Sequence, residues 1–514
     1  MIAFSKKKER GLGIVLQYAQ MALNILIQLI YTPFLLHILS QNEFGIYNLA
    51  ASTIAYLALL SLGFGASYLR FYSKFKSADN EEGIKELNGL YLIVFTLMGS
   101  VALIIGFILT LNVELFFNDS YSSHDIEIAR VLMAFLTVNM AISFPVSVFD
   151  SYITSQERFV FQKSINMIRT ICNPIVCGVL LYLGYGSIGM VVASTFLTIV
   201  IGIINIIFCL QELNMKISFR IHNWKLLADI FSFSIFIAIN QLIDQLNWQA
   251  DKVILGKIVN GTAVAVYAVG ASINTMYTSF SSAISSVFAP KINMIVSEGN
   301  SNMDDELSYI FNKVGRIQWF ILALILSGII FFGQFFIEIW AGEGYEKAYW
   351  VAIMLMAPAT VPLIQNIGLE IQRAKNKHQI RSIAYLLMAI VNVMISIFFA
   401  SLWGEIGAAL GTTISIIIVP IIFMNCFYQL KLGINVVKFW KSIMGTLPSF
   451  IIPVVVGIVI HMYHRIDSIS DFVFCIGIYS ITYFLSVYWL GLNNDEKGMI
   501  RGAFKMLIRD SEAN

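Results

Sequence analysis

The chain has 514 residues, of which 58% are hydrophobic and only 12% charged, with a formal net charge of +2. Soluble domains carry roughly 25% charged residues, so this composition cannot cover a globule with polar surface, and lipid must be its solvent. The basic residues are dispersed among loops and give no footing for a nucleic-acid partner. The five cysteines sit inside apolar runs without disulfide or metal spacing.

Near its start the chain carries Lys6-Lys7-Lys8-Glu9-Arg10, followed by an apolar stretch too long for a cleaved signal peptide, so the segment is expected to be retained. A helix needs about 20 apolar residues to cross the hydrocarbon. On that ruler spans fall near 12–37, 44–69, 87–110, 128–151, 160–183 and 187–210. A polar link is followed by spans near 226–250, 261–288, 315–339, 346–370, 379–402 and 405–429, then 439–462 and 471–492. The expectation is an all-α polytopic membrane protein of about fourteen transmembrane helices. All nine prolines lie in or at the ends of these runs, where bent transporter helices tolerate them. With the N-terminus inside, every Lys and Arg falls in a cytoplasmic segment except Arg130, Lys252, Lys257, Lys347 and Arg465. Both termini are therefore expected in the cytoplasm.

Polar residues inside the spans are the candidate functional groups. Span one carries Gln17, Gln20, Asn24, Gln28 and Tyr31 at steps of three and four, one helical face that ends at Pro33. Arg70 closes span two beside Tyr68, Phe71 and Tyr72, and Arg169 lies well inside span five. A guanidinium forks onto phosphate oxygens, but either arginine could instead snorkel to the inner interface. Asp150 could pair with either. The link from Leu213 to Lys225 reads equally as an interfacial amphipathic segment or a plain basic loop.

Span seven is the most polar. Asn240, Asp244, Asn247 or Trp248, and Asp251 recur along one face, opposite Phe233, Phe236, Ile237, Leu242, Ile243 and Leu246. A carboxylate at the centre of a span costs about 2.5–3.5 kcal/mol, so it is kept where it meets water or a partner. Two readings stand: the wall of a wet cavity, with Asp244 or Asp251 able to take up a proton, or structural hydrogen bonds between helices. The adjacent Asp251 and Lys252 could also neutralise one another at the outer surface. No catalytic constellation is present. The six histidines are scattered, and no Gly-rich loop ends in Gly-Lys-Ser/Thr, so neither a metal site nor an ATPase is expected.

Two landmarks repeat at nearly one offset. Phe44-Gly45-Ile46-Tyr47-Asn48-Leu49-Ala50-Ala51-Ser52 matches Val264-Ala265-Val266-Tyr267-Ala268-Val269-Gly270-Ala271-Ser272, and Gly186-Ser187-Ile188-Gly189 matches Gly404-Glu405-Ile406-Gly407. Six spans per copy make the repeat parallel, with a pseudo-axis along the membrane normal. The expected organisation is a six-helix lobe over 1–213, a second over 214–432, and an added helix pair with a cytoplasmic tail over 433–514. Spans one and seven, the first of each copy, would face each other across a central cleft.

The chain resembles the lipid-linked oligosaccharide flippases, the Wzx-type polysaccharide exporters of the multidrug/oligosaccharidyl-lipid/polysaccharide (MOP) superfamily. The resemblance covers nearly the whole chain. It rests on Tyr31-Thr32-Pro33, Phe44-Gly45-Ile46-Tyr47, Leu62-Gly63-Phe64-Gly65 and Arg70, then on Ala250-Asp251-Lys252-Val253-Ile254-Leu255-Gly256, Tyr267 and Pro290. Arg373-Ala374-Lys375-Asn376 and Gly404-Glu405-Ile406-Gly407-Ala408-Ala409 complete it. It implies two lobes around a cavity open alternately to either side of the bacterial inner membrane. It also implies an undecaprenyl-pyrophosphate-linked glycan as cargo, for cell-surface polysaccharide such as O-antigen or capsule, with a proton or sodium as coupling ion. Polymerase and chain-length machinery are the implied partners. The residues expected to meet cargo or ion are Asn24, Gln28, Arg70, Arg169, Asn240, Asp244, Asp251 and Lys252. Span one lacks the Asp that many drug-exporting relatives use, which weighs against the rival reading of a cation-coupled drug exporter. A membrane glycosyltransferase or polymerase, the other rival, would need a larger outer loop than any here.

Overall fold

The computed structural model describes residues 6–220, 224–377, 379–464 and 466–498. Parts of two sequence readings lie outside them: 221–223 of the interlobe link and the tail from 499 onward. Among the described residues there is no strand. The first helices in chain order are α1 (Lys6–Ile38), α2 (Gln41–Ala55), α3 (Phe64–Ser77), α4 (Glu81–Leu111), α5 (Ser123–Ser155), α6 (Phe159–Tyr182) and α7 (Gly186–Ile207). Then come α8 (Trp224–Ile258), α9 (Gly261–Glu298), α10 (Met303–Ala341), α11 (Lys347–Ile364), α12 (Ile367–Ala374) and α13 (Gln379–Ile416). The last are α14 (Met424–Lys431), α15 (Val436–Met444), α16 (Pro448–Tyr463) and α17 (Ile469–Ser486).

The chain is a multi-pass membrane protein. Among the described residues eleven helical runs are long and apolar enough to cross a bilayer, or 12 when α15 and α16, bent by 46°, form one span. The expected fourteen is not reached on this measure, for two reasons. The midsection of α9 is rich in hydroxyls and amides (Asn274, Thr275, Thr278, Ser279, Ser281, Ser285), which lowers its hydropathy. The run Gln379–Lys431 also counts once, although Trp403 and Gly404 leave helical geometry within it.

Several spans read as continuous are broken. Span two is α2, a 3₁₀ turn over Tyr56–Ser61, two left-handed residues (Leu62 at φ 47°, Gly63 at φ 70°) and α3. A side chain at Gly63 would also collide with Ile237 of α8, so glycine answers both the conformation and the close approach. Near Pro420 the helix widens to π geometry over Ile417–Phe423, which accommodates a residue that cannot donate to the helical ladder. Over 214–220 the interlobe link forms no helix. It lies against α4, with the Ser218 amide donating to the Lys85 carbonyl at 3.0 Å and Asn88 Nδ2 to the Lys216 carbonyl at 2.9 Å.

The chain forms two compact units. Unit 1 comprises Met1–Val269, Trp340–Lys347 and Ser382–Thr412; unit 2 comprises Gly270–Ile339, Ala348–Arg381 and Thr413–Asn514. Within unit 1, Phe64, Tyr68, Tyr91 and Phe95 form a buried aromatic core that joins α3 to α4. Within unit 2, Phe332, Cys475 and Tyr479 join α10 to α17. Lys375, from the Arg373-Ala374-Lys375-Asn376 string, ties Asp304 at the start of α10 (2.6 Å) to the Leu432 carbonyl just past α14 (2.7 Å).

Candidate functional site

The first group of polar side chains lies in unit 1, where α5, α6 and α7 pack together. α7 offers Thr195, Thr198 and Asn205 on one face by their spacing. Asn205 Nδ2 donates to Asp150 Oδ1 of α5 at 2.6 Å, and Thr198 Oγ1 accepts from Arg169 Nη2 of α6 at 3.1 Å. Asn139 Nδ2 of α5 reaches Thr195 Oγ1 at 3.4 Å. Arg169 and Asp150 lie within electrostatic reach of one another. The arginine stays exposed, so its fork is available to an anion as well as to Thr198.

α1 packs beside α6 in parallel. Gly13 abuts Phe159 and Gly178 abuts Phe34, so Asn24 stands level with Arg169. Asn24 is exposed and Gln28 half-buried. Arg70 is exposed too, and its guanidinium carbon sits 4.3 Å from the centre of the Phe233 ring of α8, a cation–π contact.

The stripe of α8 divides between three environments. Asn240 Oδ1 accepts from Ser382 Oγ of α13 at 2.9 Å, and Gln241 Oε1 from Ser61 Oγ at 3.2 Å. One turn on, Asp244 is exposed while its neighbour Ile243 is only 3% exposed, as expected for positions about 100° apart. Asp251 is 2% exposed, and Lys252 is half-buried. Asp251 is therefore no surface residue, and its partners are hydroxyls.

Asp251 Oδ2 accepts from the hydroxyl of Tyr267 on α9 and from Thr412 Oγ1 on α13 at 2.7 Å, while Oδ1 has no hydrogen-bond partner among the described residues. Thr412 Oγ1 also lies 3.4 Å from Asn392 Oδ1. Ser396 Oγ stands 3.4 Å from both Asn392 Oδ1 and the Ala408 carbonyl. The break at Trp403–Gly404 turns α13 back on itself and brings 392 and 396 beside 408 and 412. Gly411 makes this possible, because a side chain there would strike Ser396. One carboxylate, an amide oxygen, three hydroxyls and a backbone carbonyl thus converge in a buried place. Among the described residues no three His, Cys, Asp or Glu cluster in a way that could hold a metal. With a single negative charge and otherwise neutral oxygens, the cluster suits a hard monovalent cation or a proton rather than a transition metal.

Asn392, Ser396 and Thr412 were not singled out in the sequence. A weak signal existed: Asn392 and Ser396 are polar, one turn apart and inside an apolar run. Nothing local linked them to Asp251, because the pairing depends on a turn far away in the chain.

Comparison with known proteins places this geometry in context. The family model described as polysaccharide biosynthesis protein matches residues 13–296. A sequence search of curated proteins finds no match. Among solved structures, the chain is similar to the lipid II flippase MurJ in an inward closed conformation, with a TM-score of 0.63 at 17% identity over 92% of this chain and 97% of that one. It is also similar to an inward-facing multidrug resistance MATE family transporter of the MOP superfamily, with a TM-score of 0.58 at 14% identity over 82% and 96%. A MOP superfamily transporter from Pyrococcus furiosus gives 0.55 at 14% identity over 82% and 95%. At these identities the likeness establishes a shared fold.

Proposed function

The chain belongs to the polysaccharide biosynthesis protein family, and from that premise we propose that it is a flippase. It carries an undecaprenyl-pyrophosphate-linked oligosaccharide from the inner to the outer leaflet of the bacterial inner membrane by alternating access. Both termini face the cytoplasm, and the glycan passes on to polymerase and chain-length machinery. The observation that supports this reading best is the exposed guanidinium of Arg169 inside an apolar helix, level with Asn24. Such a group is costly in lipid unless it meets an anion or water, and a pyrophosphate supplies the anion. Arg70, Gln28, Asn240 and Asp244 would meet the head group and sugar. A drug exporter needs no such phosphate-binding fork.

The coupling ion is assigned to the oxygens around Asp251, with Lys252 alongside to offset the charge. A cell lacking the protein should accumulate lipid-linked oligosaccharide on the cytoplasmic side of its membrane, measured by extraction and by accessibility to an added glycan-binding probe. An unchanged lipid pool, with altered drug tolerance instead, would turn the assignment to efflux.

Arg169→Ala should lower flipping about tenfold or more at normal protein level, since a hydrogen bond to a charged group contributes about 1.5–3 kcal/mol. Arg169→Lys should recover only part, because an ammonium lacks the planar fork. Full activity of the alanine variant in reconstituted vesicles would assign Arg169 to the interface instead.

A further inference from the structure

Trp340–Lys347 joins α10 to α11, yet it belongs to unit 1, whereas the bodies of both helices belong to unit 2. Three polar contacts hold it there. Trp340 Nε1 donates to the Leu29 carbonyl of α1 at 2.8 Å. That carbonyl lies four residues before Pro33, which has no amide hydrogen to offer it, so the indole takes the place of the missing helical bond. Gln41 Nε2, at the start of α2, donates to the Gly344 carbonyl at 2.7 Å. Lys347 Nζ pairs with Glu405 at 2.9 Å, and Glu405 opens the half-helix whose Ala408 and Thr412 line the Asp251 cluster. Gly342 and Gly344, both at φ 86°, give the loop a shape that other residues seldom adopt. Trp340 and Tyr345 are buried at 5% and 2% exposure.

We propose that Trp340–Lys347 is the latch of the outer mouth, closed in this conformation. The inference rests on the alternating-access reading and on cytoplasmic termini. Leu29 and Gln41 lie in the first sequence repeat and Trp340 and Gly344 in the second, so their two hydrogen bonds tie one copy to the other at the same mouth. Opening that mouth requires both bonds to break. The proline-freed carbonyl makes this reversible, because Leu29 can turn to water without disturbing a helical hydrogen bond. The Lys347–Glu405 pair keeps the loop attached to the helix that lines the Asp251 cluster while its other end lets go.

The test uses spin labels on cysteines at the exposed positions Ser40 and Glu343, in the full chain lacking its native cysteines and reconstituted in lipid. The parent protein should show one dominant short distance. Trp340→Phe keeps the apolar bulk and loses the donor, and Gln41→Leu does the same for the second contact. Each should enlarge a longer-distance population several-fold, and the pair together should make it dominant. Distances unchanged in both variants and in the double variant would overturn the latch. Gln41→Leu carries the test if Trp340→Phe folds poorly, as judged by its thermal unfolding. If the distances shift but the parent protein flips no lipid-linked glycan, the flippase reading falls and the latch stands. Flipping with distances that never respond removes the latch alone.

Discussion

Arg316→Ala should be the most destabilising single substitution in unit 2, at about 3–5 kcal/mol, the scale for stranding one member of a buried ion pair. Arg316 Nε and Nη2 fork onto Glu496 at 2.7 and 2.9 Å. Nη2 also donates to the Gly491 carbonyl at 2.9 Å, and Nη1 to the carbonyl and hydroxyl of Ser442 at 3.0 and 3.2 Å. All five N–H groups of the guanidinium are thereby used. The side chain fastens α10 to α15 and to the segment after α17. Arg316→Lys should recover little, since a single ammonium cannot span partners placed for a planar fork. Arg316→Met with Glu496→Met should cost less than either single substitution, because removing both charges leaves neither one buried alone. Thermal unfolding in detergent reads all five variants, the two single Met substitutions included. A double variant as unstable as the sum of the singles would mean that the fork does not act as a unit.

Asp251→Asn should leave the fold intact and remove the cation dependence of transport. The Asn side-chain oxygen still accepts from Tyr267 and Thr412, so the hydrogen bonds survive while the charge is lost. Cation affinity should fall by about 10–100-fold, the range for losing a supporting group at a metal site, or further because Asp251 is the one carboxylate among the described residues of the cluster. Thr412→Val removes one neutral oxygen and a donor to Asp251, and its loss should be smaller. The measurement is flipping in sealed vesicles with imposed sodium or proton gradients. If sodium is the coupling ion, the parent protein responds to the sodium gradient with the proton gradient collapsed; if the proton is, the reverse holds. An Asn variant that responds to gradients as the parent does would clear Asp251 of this role. The exposed Asp244 would then be the carboxylate to substitute next.

The contrast between these two residues and their sequence reading is instructive. Arg316 counts, from sequence, as one more basic residue at the cytoplasmic edge of a span. Its burial depends on Glu496, which arrives 180 positions later. Asp251 stood out, but as one member of a stripe sharing a helical face. The face was legible because helical periodicity is local. Its division into a bonded Asn240, an exposed Asp244 and a buried Asp251 depends on which helices cover each turn.

The sequence by itself determined that the protein lives in a membrane, that its spans are built of helices, and which side chains sit in lipid-depth segments at unusual cost. These follow from composition, from stretch length against bilayer thickness, and from the price of ionised groups in hydrocarbon, all of which are additive along the chain. It also carried the family, through the order of strings such as Phe44-Gly45-Ile46-Tyr47 and Leu62-Gly63-Phe64-Gly65, which lie inside the matched residues. The tertiary structure alone decided where helices break and what meets Asp251. Position 63 lies so close to Ile237 that only glycine fits there, and the turn at Trp403–Gly404 closes because Gly411 admits Ser396. Close approach is a property of two distant segments together, and no window along one of them contains it.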